Sequence, residues 1–247
     1  MTAAARAEPD RAPGIAARLA ALDGDALGDA LDDAGHVVVP ALLTPAECAE
    51  LAARYDAAEQ FRSRIVMARH GYGAGEYQYF AYPLPPLIAA LRGALYPRLA
   101  PLANRWSEAL GIATRYPPDH ATFLARCHRA GQQRPTPLLL RYRAGDYNRL
   151  HQDLYGEHVF PLQATVLLSR PATDFTGGEF VLVEQRARMQ SRAEVVPLAQ
   201  GDAVIFAVRE RPVKSARGVA RATMRHGVSR LRSGARMTLG IIFHDAK

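Results

Sequence analysis

The second half of the chain is a succession of short apolar runs, each closed by a turn signal, and this pattern restricts the fold more than any other feature. Residues 138–142, 159–169, 179–183, 194–198, 203–208 and 237–243 read as strands. Gly145-Asp146, Thr176-Gly177-Gly178, Gly201-Asp202 and Ser233-Gly234 separate them. The first half has a different texture. Helical stretches are predicted over 14–22 and 26–34, with Gly35 as the break and a short strand at 36–39. Thr44-Pro45-Ala46-Glu47 predicts a capped helix start running to about Ala58, because Thr44 can cap, Pro45 suits the first turn and Glu47 closes a capping box. Further helices are expected over 87–110 and about 120–130. Helices first and strands after predict an α+β protein, with a double-stranded β-helix (jelly roll) core over about 136–247 on helical support over about 13–135. Residues 1–12 are expected to be a mobile tail, and 13–247 one domain.

Within the strand-rich half lies a set of residues suited to a metal. His151 and Asp153 are two apart, so an extended backbone directs both to one side. His226 can complete a triangle from a later strand. Two imidazoles and one carboxylate suit a non-haem Fe(II) site with open positions. Arg236 follows His226 by ten residues, and in an extended hairpin it can stand one strand away, where a guanidinium grips a carboxylate through paired hydrogen bonds. Iron, an oxo-acid and dioxygen are the reactants such a set suggests. His36, His70, His120, His128, His158 and His244 lack partners at ligand spacing and are read as ordinary histidines.

Composition narrows the setting. With 247 residues and 49% apolar content, the chain can bury a sizeable core. No run reaches the roughly 18 apolar residues of a membrane helix. The first twenty residues mix Glu8, Asp10, Arg6, Arg11 and Arg18 with prolines and have no apolar signal core, so the cytoplasm is the expected location and no membrane association is expected. Cys48 and Cys127 alone suggest neither a disulfide framework nor a cysteine metal site. The formal charge of +7 favours anionic partners such as nucleic acid. Only Lys214 and Lys247 are lysines among 31 basic residues, however, so a genome-level preference for arginine explains the charge equally well.

Two segments bear on a substrate. Arg209, Arg211, Lys214, Arg217, Arg221 and Arg225 face one acid, Glu210, just before His226. They are expected at the rim of the site, where Arg217 and Arg221 could track a phosphate backbone; the other reading is a solvated loop. Tyr72, Tyr77, Tyr79, Phe80 and Tyr82 lie between glycines and prolines. Tyr77 and Tyr79 could stack on a flipped or single-stranded base, or simply pack between helix and barrel.

The His151-x-Asp153…His226 pattern with Arg236-x-Thr238 resembles the Fe(II)/2-oxoglutarate-dependent oxygenase superfamily. The resemblance implies that Fe(II) is bound by His151, Asp153 and His226, with open positions for 2-oxoglutarate and O2. It further implies that Arg236, assisted by Thr238, holds the distal carboxylate of 2-oxoglutarate, and that Tyr142 contacts this co-substrate as a tyrosine does in AlkB-type demethylases. Segments 61–72, 150–158, 175–180 and 239–245 are similar to a prokaryotic family named as nucleic-acid oxygenases. That implies AlkB-like oxidative demethylation of alkylated bases. Leu140 and Ile242 stand where AlkB-type enzymes carry an asparagine and a second arginine. Arg236-x-Thr238 is closer to the arginine-serine pair of small-molecule hydroxylases, and Thr176-Gly-Gly-Glu-Phe180 resembles prolyl-hydroxylase-like members. A hydroxylase of a protein side chain or small metabolite is therefore the alternative. A cupin-like sensor without turnover is opposed by Arg236 and Thr238, since a sensor needs no grip on a co-substrate.

Overall fold

A computed structural model describes residues 13–216 and 218–247. The expected tail over 1–12 and the candidate Arg217 lie outside the described residues. The chain begins with α1 (Ile15–Ala20), α2 (Gly24–Ala34), β1 (His36–Val39) and α3 (Pro45–Ala53). It continues through β2 (Phe61–Val66), β3 (Gly73–Ala74) and β4 (Glu76–Phe80) to α4 (Pro86–Ala109) and α5 (His120–Arg129). Then follow β5 (Leu138–Arg143), β6 (Tyr147–His151), β7 (Leu162–Leu167), β8 (Phe175–Gly177), β9 (Phe180–Arg186) and β10 (Arg192–Val196). The last strands are β11 (Ala203–Ala207), β12 (Glu210–Ser215), β13 (Gly218–Val228) and β14 (Leu231–Ile242).

The strands form two antiparallel sheets. The larger runs β1-β11-β7-β14-β5-β4-β2, with β8 beside β14, and the smaller runs β10-β9-β13-β6-β3, with β12 beside β13. Alternation along β14 explains how the larger sheet serves two cores. Leu239 and Ile241 join Leu162, Ala164 and Val166 of β7 in the cluster that also holds Leu91, Leu95, Leu99 and Trp106 of α4. Arg236, Thr238 and Gly240, one residue out of phase, line a cavity between the sheets. All six residues of β7 are buried, but Gln163 and Thr165 are polar and their face lines this same cavity.

Local signals set the helix starts. Thr44 Oγ1 accepts from the Glu47 amide at 3.2 Å, and the Thr44 amide donates to Glu47 Oε2 at 2.8 Å, which is the expected capping box. The helix ends at Ala53 rather than near Ala58, and two short 3-10 turns carry the chain to β2. Gly35 ends α2 with φ +77°, and a Cβ there would meet Arg211 Cδ at 2.8 Å. Arg211 donates to the carbonyls of Asp32 and Asp33 and pairs with Glu184 at 2.6 Å, so it ties the end of α2 to the smaller sheet. Strands β2, β3 and β4 fall within the stretch expected to be helical support, and they extend both sheets. No helix among the described residues is long and apolar enough to cross a membrane.

Candidate active site

Strand register brings the two histidines together. His151 ends β6 and lies directly opposite His226 of β13. Opposed residues project from the same face, and the two rings stand 4.2 Å apart between centres. Asp153 lies two residues beyond His151, past the end of β6. Its Oδ2 is 3.3 Å from His226 Nε2, and its Oδ1 is 3.6 Å from His151 Nε2. One ligand atom from each residue lies within 4.8 Å of the others.

The protons are arranged for metal binding. His151 Nδ1 is 2.7 Å from the Arg149 carbonyl, which can only accept. Nδ1 therefore donates to it, and Nε2 is the ring nitrogen turned toward Asp153. Burial, reinforced by the neighbouring His151, pushes the His226 ring toward its neutral form. For Asp153, burial works against ionisation, but His226, His151 and the Tyr155 hydroxyl outweigh it and hold the carboxyl below the usual carboxylate range. Two imidazoles and a carboxylate are a donor set that suits Fe(II) with positions left open.

Arg236 supplies the second half of the site. It lies opposite Tyr142 of β5, and Thr238 lies opposite Leu140. The guanidinium carbon is 5.8 Å from the centre of the Tyr142 ring and 5.9 Å from that of Phe175. Its Nε and Nη1 are buried without hydrogen-bond partners among the described residues. Burial pushes its pKa down to about 10, which still leaves it charged at neutral pH. The charge of Glu179 acts on it, but no described carboxylate pairs with it directly, and a buried cation left in that state is costly. Gly178 makes the packing possible: at φ +66°, a Cβ there would meet Leu231 Cδ1 at 2.4 Å and Arg236 Cδ at 3.1 Å.

A cavity of about 360 Å³ holds these groups together. The larger sheet contributes Tyr77, Tyr79, Tyr142, Arg236 and Thr238; the smaller contributes His151 and His226, and Asp153 enters from the loop after β6. Tyr77 and Tyr79 do line it, but as part of β4 rather than as a lid. Tyr79 is buried, with Arg62 4.4 Å over its ring and Tyr77 packed edge-on at 5.3 Å. The accessible aromatic is Tyr72, 50% exposed at the cavity and stacked on His70 at 5.3 Å.

None of the described basic residues of the expected rim lines the cavity. The segment is a hairpin of β12 and β13, and alternation turns His226 and Met224 inward but Arg221 and Arg225 outward. Arg221 is bound by Glu210 at 2.8 Å and lies off the cavity. Arg211 is buried against Glu184. Besides Arg236, the described arginine that lines the cavity is Arg149, two residues before His151. Sequence reasoning also passed over Tyr155, whose hydroxyl donates to Asp153 Oδ1 at 2.7 Å. The signal was available: His151, Asp153 and Tyr155 continue a single two-residue spacing.

Two antiparallel sheets enclose a His-Asp-His cluster that could hold a metal ion and a buried arginine whose Nε and Nη1 have no hydrogen-bond partner among the described residues. Comparison with known proteins narrows this. A family model described as an oxygenase catalysing oxidative methylation of damaged DNA matches residues 75–246. Two uncharacterized proteins of Mycobacterium tuberculosis, from strains CDC 1551 and H37Rv, are each 52% identical over 167 residues, covering 68% of this chain and 72% of theirs. Among solved structures, a Pseudomonas putida prolyl-4-hydroxylase is similar with a TM-score of 0.52 at 17% identity, over 91% of this chain and 100% of that one. A Burkholderia pseudomallei oxidoreductase of the 2OG-Fe(II) oxygenase family reaches a TM-score of 0.53 at 16% identity, over 92% and 94%. At such identities these likenesses speak to the fold alone. The chain belongs to the oxygenase family whose model it matches, and its His151, Asp153 and His226 form a cluster that could hold a metal ion.

Proposed function

We propose that His151, Asp153 and His226 hold the Fe(II), that Arg236 with Thr238 and Tyr142 holds 2-oxoglutarate, and that the primary substrate is an N-alkylated base in nucleic acid. The two sheets are read as a double-stranded β-helix centred on 136–247 and widened by β1 and β2–β4. Bound iron, with 2-oxoglutarate and O2, supplies the power to hydroxylate a C–H bond. On an N-methyl group, the resulting N-hydroxymethyl collapses to the bare nitrogen and formaldehyde, while 2-oxoglutarate leaves as succinate and carbon dioxide.

The protein's own residues have distinct tasks in this reading. Arg236 gives the co-substrate's distal carboxylate its counter-ion, and the cavity wall of Tyr142 and Leu140 keeps that end dry. Tyr72 carries the substrate assignment. Its half-exposed ring, backed by His70, offers one flat face at the cavity. Its carbonyl accepts from the Arg149 amide at 2.9 Å, so the ring is registered to the strand that ends in His151. Arg149 adds a cation to the lining of the same cavity. A flat aromatic face and a cation at the entrance suit a base attached to a phosphate backbone, and the family description concerns damaged DNA.

The test is a screen of N-methylated single-stranded and duplex oligonucleotides, with succinate and formaldehyde measured together. Formaldehyde equal to the substrate-dependent succinate is expected. Coupled succinate production with a peptide or free metabolite, and none with any methylated oligonucleotide, would instead identify a hydroxylase of those substrates.

A further inference from the structure

We propose that Tyr155 is a positioning residue for the metal site and that Tyr79 holds it, so that two tyrosines connect the cavity wall to the Asp153 carboxylate. This rests on Asp153 being a metal ligand. Strand pairing fixes His151 and His226, but β6 ends at His151 and Asp153 lies in the loop beyond it. Something other than the sheet must set the angle of its carboxylate. The Tyr155 hydroxyl donates to Oδ1 at 2.7 Å, and the Tyr79 hydroxyl donates to the Tyr155 oxygen at 3.0 Å. A carboxylate rotates freely about its last bond, so a hydrogen bond fastening Oδ1, itself 3.6 Å from His151 Nε2, leaves Oδ2 directed to His226, 3.3 Å from its Nε2.

The loop itself is anchored on its other side. Gln132 Nε2 donates to the carbonyls of Tyr155 at 2.9 Å and His158 at 3.1 Å, and Gln132 Oε1 accepts from the His158 amide at 2.8 Å. Gly156, at φ +103°, allows this approach, since a Cβ there would meet Gln132 Cδ at 2.5 Å. The backbone of Tyr155 is thereby fixed while its side chain spans from Asp153 to Tyr79. Tyr79 lines the cavity and packs edge-on against Tyr77. A ligand that presses on this wall acts on the carboxylate through two hydrogen bonds. Outer partners of a ligating group typically change metal affinity 10- to 100-fold when removed.

The experiment uses Co(II) alone as the probe, added to metal-free full-length protein, with its visible absorption bands and dissociation constant as readouts. Tyr155→Phe, Tyr79→Phe and Asp153→Ala are compared with wild type, and thermal unfolding of each metal-free protein checks the fold. Tyr155→Phe is expected to weaken Co(II) binding about 10- to 100-fold and to change the absorption bands. A smaller change in the same direction is expected for Tyr79→Phe. Wild-type affinity and bands in Tyr155→Phe, with binding lost in Asp153→Ala, would overturn the relay and leave the ligand assignment standing. Wild-type binding in Asp153→Ala would overturn both. Should Tyr155→Phe not fold, Tyr79→Phe decides: unchanged bands and affinity there overturn the relay.

Discussion

His151 and His226 face each other in register across two antiparallel strands, with rings 4.2 Å apart, so the metal site depends on the alignment of β6 with β13. A one-residue slip in either strand would turn one imidazole to the opposite face. The register shifts between His226 and Val228, and Gly227 occupies that irregularity. There, a Cβ would meet the Asn148 carbonyl oxygen at 2.7 Å and the Arg149 carbonyl at 3.2 Å.

Gly227→Ala is therefore expected to act on the metal site without touching a ligand. Backbone atoms must move to admit the methyl group, and overpacking of this kind costs about 1–3 kcal/mol. Lower thermal stability together with weaker Co(II) binding is the expected outcome. A variant with wild-type values of both would show that β6 and β13 can separate at this point without cost to the histidine pair.

Arg236→Ala should separate the co-substrate from the metal. Losing a charge-assisted pair in a buried setting costs about 2–4 kcal/mol, or roughly 30- to 1,000-fold in 2-oxoglutarate affinity. Metal binding should survive, because Arg236 is outside the cluster of ligand atoms. Arg236→Lys should recover only part of the loss, since an ammonium cannot form the paired hydrogen bonds of a guanidinium. Titration of 2-oxoglutarate into the metal-loaded variants measures this directly, and an unchanged affinity in Arg236→Ala would remove the residue from the co-substrate site.

These two residues also show what the sequence made legible. The spacing of His151 and Asp153 states its geometry outright, because side chains alternate on any extended chain. The same rule read one step further would have found Tyr155, and read backwards from His226 it would have turned Arg221 and Arg225 away from the cavity. Charge counting hid this, since a run of arginines has the same composition whichever face each side chain takes. Arg211 was illegible for a different reason: its partners, Glu184 and the carbonyls of Asp32 and Asp33, come from distant parts of the chain. Strands β2 to β4 were obscured by the glycines between them. Gly73 and Gly75 have φ of +138° and +119°, and a Cβ at Gly75 would press on the Tyr142 ring at 2.9 Å. They are places where backbone passes close to the sheet, although on paper they resemble loop punctuation.

Acid should weaken the fold through two buried histidines outside the cluster of ligand atoms. His120 Nε2 donates to the Phe243 carbonyl at 2.8 Å, and His244 Nδ1 accepts from the Phe160 amide at 3.3 Å. Burial, with the charge of Arg92 adding to it, pushes both down to about 4. Both are therefore neutral in the fold, whereas an unfolded chain takes up these protons near pH 6.5. Stability from each is fully present above about pH 6.5 and is lost as pH falls toward 4, on the order of 3 kcal/mol per group. Urea unfolding of metal-free protein at pH 7 and 4.5 should show the loss. His120→Gln, which keeps a donor for Phe243 but cannot titrate, should show less of it. Equal pH dependence in wild type and His120→Gln would clear His120 of any part in it.

Nucleic-acid binding should follow the residues at the cavity rather than the hairpin arginines. Arg149 lines the cavity, while Arg221 is held by Glu210 on the outward side of β13. Arg149→Ala should weaken oligonucleotide binding and flatten the dependence of log affinity on log salt by about one unit, the signature of one lost phosphate contact. Arg221→Ala should leave both unchanged. Tyr72→Ala should cost about 1–3 kcal/mol with little dependence on salt, because stacking releases no counterions. Fluorescence anisotropy with single-stranded and duplex oligonucleotides at several salt concentrations distinguishes the three. If Arg221→Ala flattens the salt slope and Arg149→Ala does not, the strand is bound on the outer face of the smaller sheet, and a base could not reach the histidines from there without crossing β13.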